Sequence, residues 1–186
     1  SYEHTPIYNL SIDPRSFRPL VTASYDSFET YAISTAISFD SSTLRAEAAF
    51  KSDYPFQSSD ITLVKRNDYQ GILGWDRTFF TNLVLNVQGF FFRYDGGQDI
   101  TGIDRSRYGF SMSLEDKFFY EALISSLRGV YYMNNQESSV EWFNEYDVND
   151  HLKINFGYIL LTGKPTGSIG QFDKNDHAYL GFKYFF

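Results

Sequence analysis

Three histidines are the residues of this chain with the widest chemical repertoire near neutral pH: His4, His151 and His177. A serine hydrolase would need one of them hydrogen-bonded to both a serine hydroxyl and a carboxylate. Nothing in the sequence fixes that arrangement, and polar positions that face water often hold such residues without a catalytic role. We therefore expect no catalytic residues and rank a hydrolase third among the functions considered below.

Three carboxylates, those of Glu141, Glu145 and Asp147, are spaced so that they share one face of an extended strand. On the wall of a pore, such a strip would attract cations. The alternative, which we favour, is that these groups solvate a polar surface or form salt bridges with cations on other strands. The candidate cations are Arg45, Lys51, Arg128 and Lys153.

The acids between the strands give only a weak metal signal. Asp95, Asp99 and Asp104 could hold a divalent cation, but the run from Asp95 to Asp99 lacks the full ligand spacing of a calcium loop. The sequence therefore predicts neither a metal site nor a cofactor.

Composition excludes several classes of protein. No window approaches 18 consecutive apolar residues, which excludes transmembrane helices. Cysteine is absent, which rules out disulfides and thiolate metal sites, and a net charge of −7 argues against nucleic acid as a partner. Aromatic residues make up 19% of a chain whose mean hydropathy is still −0.34. That combination suits strands that alternate apolar and polar side chains, in a soluble sandwich or in a membrane barrel.

Nine segments alternate apolar and polar residues with a period of two, and helical periodicity is hard to find. In one of them Leu152, Ile154 and Phe156 alternate with Lys153 and Asn155. Most of these segments exceed the ~5–6 residues of a globular strand and match the ~9–11 residues of a strand that crosses a bilayer. The candidate strands are 28–39, 43–51, 69–76, 83–94, 107–114, 120–132, 140–148, 152–160 and 178–186.

The connections alternate between tight and long. The tight ones are 40–42, 77–81, 115–119 and 149–150, and the longer ones are 52–66, 95–104, 134–137 and 163–175. Outer-membrane barrels have short periplasmic turns and longer extracellular loops. The pattern predicts an antiparallel transmembrane β-barrel of about 9–10 strands in a Gram-negative outer membrane, with a periplasmic C-terminus.

The last nine residues carry the most specific motif. Ala178, Leu180, Phe182, Tyr184 and Phe186 occupy alternate positions up to a terminal phenylalanine. This pattern resembles the outer-membrane assembly signal, a strand with an apolar face that the barrel-insertion machinery captures by strand addition.

Two further stretches resemble a family of large, poorly characterised, porin-like outer-membrane proteins whose genes often neighbour RND-type exporters. One is residues 43–50 followed by Tyr54-Pro55-Phe56, and the other is residues 170–176. The resemblance covers about residues 39–186 and falls in the C-terminal part of longer family members. It implies that these strands belong to a larger barrel, and it supplies no catalytic motif.

Residues 28–186 are therefore expected to form barrel strands, and residues 1–27 a leader, an extracellular segment or a partial strand. Single-chain bacterial barrels have an even number of strands, so nine leaves one unaccounted for. A tenth strand could lie within residues 1–25, although Pro14 and Pro19 disfavour a long one. The other explanation, which we favour, is that upstream strands are missing.

The expected function is a passive channel, porin-like or associated with export. The side chains expected to line its lumen are Arg45, Glu47, Lys51, Arg107, Arg128, Glu141, Glu145, Lys153 and Lys183. The second hypothesis is a non-conducting barrel that acts as an anchor or adhesin. Expected partners are outer-membrane lipid and lipopolysaccharide, the barrel-assembly machinery and other envelope subunits, but not nucleic acid.

Overall fold

The structure is a computed structural model that describes residues 7–12, 19–24, 26–58, 63–96 and 104–186. Two short strands, β1 (Ile7–Ile12) and β2 (Pro19–Ser24), pair antiparallel in a sheet of their own. Pro19 is the first residue of β2, a position where a missing N–H costs little. Each strand has 6 residues, in keeping with the expectation that proline prevents a long strand here.

Nine further strands form one antiparallel sheet in which each strand lies beside its neighbour in the chain. All nine strands anticipated from the alternation are present, and the all-β prediction is confirmed. They are β3 (Glu29–Phe39), β4 (Ser42–Gln57), β5 (Leu63–Phe79), β6 (Leu83–Tyr94), β7 (Ser106–Phe118), β8 (Leu123–Tyr132), β9 (Glu137–Asn149), β10 (Leu152–Thr162) and β11 (His177–Tyr184).

Several strand ends differ from the predicted ones. β4 and β5 contain 16 and 17 residues and take up most of the predicted long connection 52–66. Ring contacts of Tyr54 with Phe28 at 4.8 Å and with Phe56 at 5.0 Å accompany the extension of β4 past Pro55. Aromatic pairs of this kind stabilise extended segments whose residues have little strand propensity.

The turn predicted at 115–119 is also shifted. β7 continues to Phe118, and the chain reverses through Phe119, Tyr120 and Glu121, all of which have positive φ. The amide of Ala122 closes the reversal by donating to the Phe119 carbonyl at 3.2 Å. Left-handed backbone is uncommon outside glycine, so residue type gave no signal for this position.

The chain divides into two compact units. Unit 1 comprises 1–33, 47–71 and 91–107, and unit 2 comprises 34–46, 72–90 and 108–186. In the described part of unit 1, the buried side chains are Tyr94, Ser58 and Asp68. In unit 2 they are Ser42, Ser126, Glu137 and Asn144. Tyr94 is thus the one buried apolar side chain that the structure describes, whereas soluble proteins bury mainly aliphatic residues.

None of the described residues forms a helix that is both long and apolar enough to span a membrane.

Candidate functional site

In unit 2, the strand register sorts the side chains of β8 to β11 onto two faces, because residues paired across neighbouring strands point the same way. Arg128 pairs with Glu141, and Lys153 pairs with Asp147 and Lys183. We call this side the polar face. It is formed by Ser126, Arg128, Glu141, Phe143, Glu145, Asp147, Lys153, Asn155, Tyr179 and Lys183.

The opposite side is the apolar face. It is formed by Leu127, Trp142, Tyr146, Phe156, Tyr158, Leu160, Leu180, Phe182 and Tyr184, all of which are exposed. Leu180 and Phe182 leave 63% and 65% of their surfaces uncovered. Ser126 on the polar face, by contrast, is only 1% exposed. Water-soluble proteins bury apolar side chains and expose polar ones, and this sheet does the reverse.

A four-charge network lies on the polar face where β9, β10 and β11 run side by side. The Glu145 carboxylate accepts from Lys183 Nζ at 2.7 Å and from Lys153 Nζ at 3.5 Å. Lys153 also reaches Asp147 at 2.9 Å. Two acids and two lysines therefore balance one another. Glu145 and Asp147 thus form ion pairs with Lys153, one of the four candidate cations, and Glu145 also pairs with Lys183, which was not among those candidates.

A second polar cluster in unit 2 connects β4, β5 and β6. Arg45 Nη2 lies 2.9 Å from Asp76 Oδ2, and the Asn86 side-chain amide donates to the same carboxylate. Arg45 thus pairs with Asp76 rather than with the acids of β9 that the sequence analysis considered.

Arg128 and Glu141 face each other across β8 and β9 but bind other groups. Arg128 lies over the ring of Phe143 at 5.5 Å and donates to Ser126 Oγ at 3.3 Å. Glu141 accepts from the hydroxyl of Tyr179 at 2.7 Å. The Tyr179 ring packs against Gly157, where an added Cβ would lie 2.5 Å from it. Glycine at this position therefore allows the ring to cover the strand.

Unit 1 contains a separate cluster. Lys51 Nζ is 3.9 Å from Asp68 and lies 4.7 Å from the centre of the Tyr54 ring. Arg107 lies over the ring of Phe92 at 5.7 Å. Glu47, the remaining residue expected in the lumen, is exposed on β4.

The five alternating residues of the C-terminal motif are all exposed. Ala178, Leu180, Phe182 and Tyr184 belong to β11, and Phe186 follows its end. The Phe185 amide donates to the His151 carbonyl at 2.9 Å, which holds the end of the chain beside the turn before β10.

The two described histidines are not part of a triad. His177 Nδ1 contacts the Asn175 carbonyl at 2.9 Å, and the ring of His151 contacts that of Tyr184 at 6.3 Å. Within the described ranges, neither imidazole hydrogen bonds to a serine or a carboxylate. His4 and Asp99 lie outside the described residues. Asp95 accepts from the Tyr69 hydroxyl at 3.2 Å, and no three potential ligands cluster around a metal position in the part of the chain that is described.

Glu137 is a buried acid that the sequence analysis missed. Its carboxylate is fully covered by residues 163–170 and accepts from the Ile169 amide at 2.6 Å and the Ser168 hydroxyl at 3.3 Å. Gly167 allows the close approach, since a Cβ there would meet Glu137 Oε1 at 2.0 Å. The carboxylate therefore anchors the long connection between β10 and β11.

Asp68, Asp76 and Tyr179 also take part in the polar clusters but were not among the side chains expected to line the lumen. Strand parity already places Asp76 opposite the row of Leu73 and Trp75, and Tyr179 opposite the row of Leu180 and Phe182. Glu137 carried no such signal, since its contacts come from a segment about thirty positions further along the chain.

The fold and the two faces define an all-β protein that exposes apolar side chains and buries polar ones. No family model, curated protein or solved structure matches the chain. The family resemblance of residues 43–50 and 170–176 stays a prediction.

Proposed function

We propose that the protein is a β-barrel of the Gram-negative outer membrane that forms a passive, porin-like or export-associated channel. The observation that carries the proposal is the inverted burial of unit 2, where exposed aromatic and aliphatic residues oppose a face of paired charges. Exposing apolar surface to water costs about 25 cal/mol per Å², so a face of this composition favours hydrocarbon as its solvent. The opposite face, rich in ionised groups, needs water.

Strand length and connectivity support the same proposal. Eight of the nine strands have at least 10 residues, enough for a tilted crossing of a bilayer. Consecutive antiparallel order is the topology of outer-membrane barrels. Nine is an odd number, so a closed bacterial barrel would need at least one strand more, as expected if the chain contributes to a larger barrel.

In this proposal the polar face lines the lumen, the C-terminus is periplasmic, and β11 presents the assembly signal to the insertion machinery. Lipid and lipopolysaccharide would contact the apolar face. The pore would select by its width and by the charges on its wall.

A non-conducting barrel is the second candidate, and the packing of the polar face favours it. The Tyr179 ring covers Gly157, and Lys153 and Lys183 both point to Glu145. Small barrels of about eight strands fill their interiors with such side chains. An anchor or adhesin would use the barrel in this way.

Planar-bilayer recording tests the channel. We expect stepwise conductance from chain refolded in detergent, and we expect Arg128→Glu to raise the cation-to-anion permeability ratio by about twofold or more, since it reverses a wall charge. Arg128 suits this test because it forms no ion pair among the described residues. The matched control is Lys164→Glu, in the connection after β10, which should leave the ratio unchanged.

Absence of conductance from a sample with a full β spectrum and protease-resistant strands would favour the non-conducting barrel. Conductance with the same ion preference in wild type and Arg128→Glu would remove the polar face from the pore wall.

A further inference from the structure

Unit 1 contains a cavity of about 180 Å³ that none of the functions above assigns to a ligand. It is smaller than the ~300–1,000 Å³ of pockets for drug-sized ligands, so it suits a small molecule. Its walls combine cationic and aromatic side chains. The charged lining residues are Lys51, Arg93, Arg105 and Arg107, with Asp68 and Asp104.

Among the lining residues that the structure describes, four are cationic and two are acidic, so positive charge is in excess there. The whole chain carries a net charge of −7, so the local excess runs against the average. Lys51 is partly neutralised by Asp68 at 3.9 Å. Arg105 and Arg107 form no ion pair with any residue that the structure describes. Two guanidinium groups are therefore available to an anion, and guanidinium pairs well with planar carboxylates.

Aromatic rings form the rest of the wall. Phe56 and Tyr94 contact each other with ring centres 5.3 Å apart, and Tyr94 is the buried apolar side chain of this unit. Phe92 lies beneath Arg107, and Tyr54 beneath Lys51. Lys51 and Arg107 thus each sit beside a flat apolar surface, where a ring or a short hydrocarbon body can stack next to the charge.

We infer that this cavity binds a small organic anion in which a carboxylate is joined to a flat apolar body. Arg105 and Arg107 would bind the carboxylate, while Phe56, Phe92 and Tyr94 would contact the body. A simple inorganic anion would leave the aromatic wall unused, and a neutral analogue would leave the guanidinium groups without their partner. The inference depends only on unit 1, so it does not require the chain to conduct.

Calorimetric titration of the full chain refolded in detergent tests the inference, with benzoate as the probe and benzamide as its uncharged analogue. We expect benzoate to bind with a Kd in the mM range or tighter and benzamide to bind at least about tenfold more weakly. Arg107→Gln should weaken benzoate binding about tenfold, the usual effect of losing one charge-assisted contact.

Arg128→Gln is the matched control. Its guanidinium also lies over a phenylalanine ring and forms no ion pair among described residues, but it belongs to unit 2. Binding in this variant should equal that of wild type. Arg105→Gln provides a second test at an exposed position where loss of folding is not expected.

The inference is overturned if benzoate heat matches that of protein-free micelles, if benzamide binds as well as benzoate, or if Arg128→Gln weakens binding as much as Arg107→Gln. The last result would mean that benzoate responds to overall charge. Conductance plays no part in these readouts, so they separate this inference from the proposed channel.

Discussion

Asn144 lies between Trp142 and Tyr146 along β9, on the apolar face, yet it is only 4% exposed. Its Nδ2 is buried without a hydrogen-bond partner, although Ser125 is its direct neighbour across β8. The Ser125 hydroxyl instead accepts from the Trp142 indole at 3.4 Å. An amide left unpaired in this way carries its full desolvation penalty.

We predict that Asn144→Leu stabilises the protein by about 1–3 kcal/mol, since leucine has the same branched shape and number of heavy atoms as asparagine and leaves no polar group unpaired. The free energy of unfolding in detergent, from urea titration, measures the effect.

Asn86→Leu is the control for this change. The Asn86 amide donates to Asp76 beside Arg45, so the same substitution should destabilise the protein. Equal loss of stability in both variants would mean that Asn144 has a partner that the geometry does not reveal.

The role of a single residue could be predicted from the sequence only where it depends on which side of a strand the residue faces. Glu145 and Lys153 fall on one side of their strands by counting, and their pairing follows from strand order. The pairing of Arg45 with Asp76 depends on side-chain length and register, which composition does not encode.

The exposed apolar side chains of β5 allow a test of whether this strand faces water or lipid. Leu73, near the middle of its 17 residues, is 68% exposed. Lysine at an exposed position of a water-soluble sheet usually changes stability by less than about 0.5 kcal/mol. On a lipid-facing strand at mid-depth, the same lysine costs about 2–4 kcal/mol.

We therefore predict that Leu73→Lys lowers the free energy of unfolding in phospholipid bilayers by about 2–4 kcal/mol, as measured by guanidinium titration of tryptophan fluorescence. Phe80→Lys is the matched control, because Phe80 is 96% exposed in the turn after β5. A lysine at the end of the strand should cost about 0–1 kcal/mol. A neutral result for Leu73→Lys would contradict a lipid-facing β5.

The presence of each strand was predicted correctly, because alternation is a local property of the sequence. The strand boundaries were predicted less accurately. Residues 52–66 were predicted to form a long connection, but β4 stays extended to Gln57, and ring contacts of Tyr54 accompany that extension. Contacts between distant segments set these boundaries, and a period-two pattern contains no information about them.

For the whole molecule, the decisive property is that its polar and apolar surfaces are exchanged. Charge pairs such as Glu145 with Lys183 occupy one face, while Leu180 and Phe182 are left uncovered on the other. The mean hydropathy of the chain does not reveal this arrangement, because the apolar residues on one face of a strand and the polar residues on the other average out. The channel, the membrane and the missing strands stay predictions.

We predict that the urea-unfolded chain regains its β structure as a single species only when diluted into detergent or lipid, because their hydrocarbon tails can cover the apolar face and water cannot. Far-ultraviolet circular dichroism reports strand formation, and sedimentation velocity reports whether the product is a single species or an aggregate. In plain buffer we expect aggregation, since a sheet that exposes residues such as Leu180 and Phe182 associates through them. A folded, monodisperse product in plain buffer would show that water suffices as the solvent, and membrane residence would then have no physical basis.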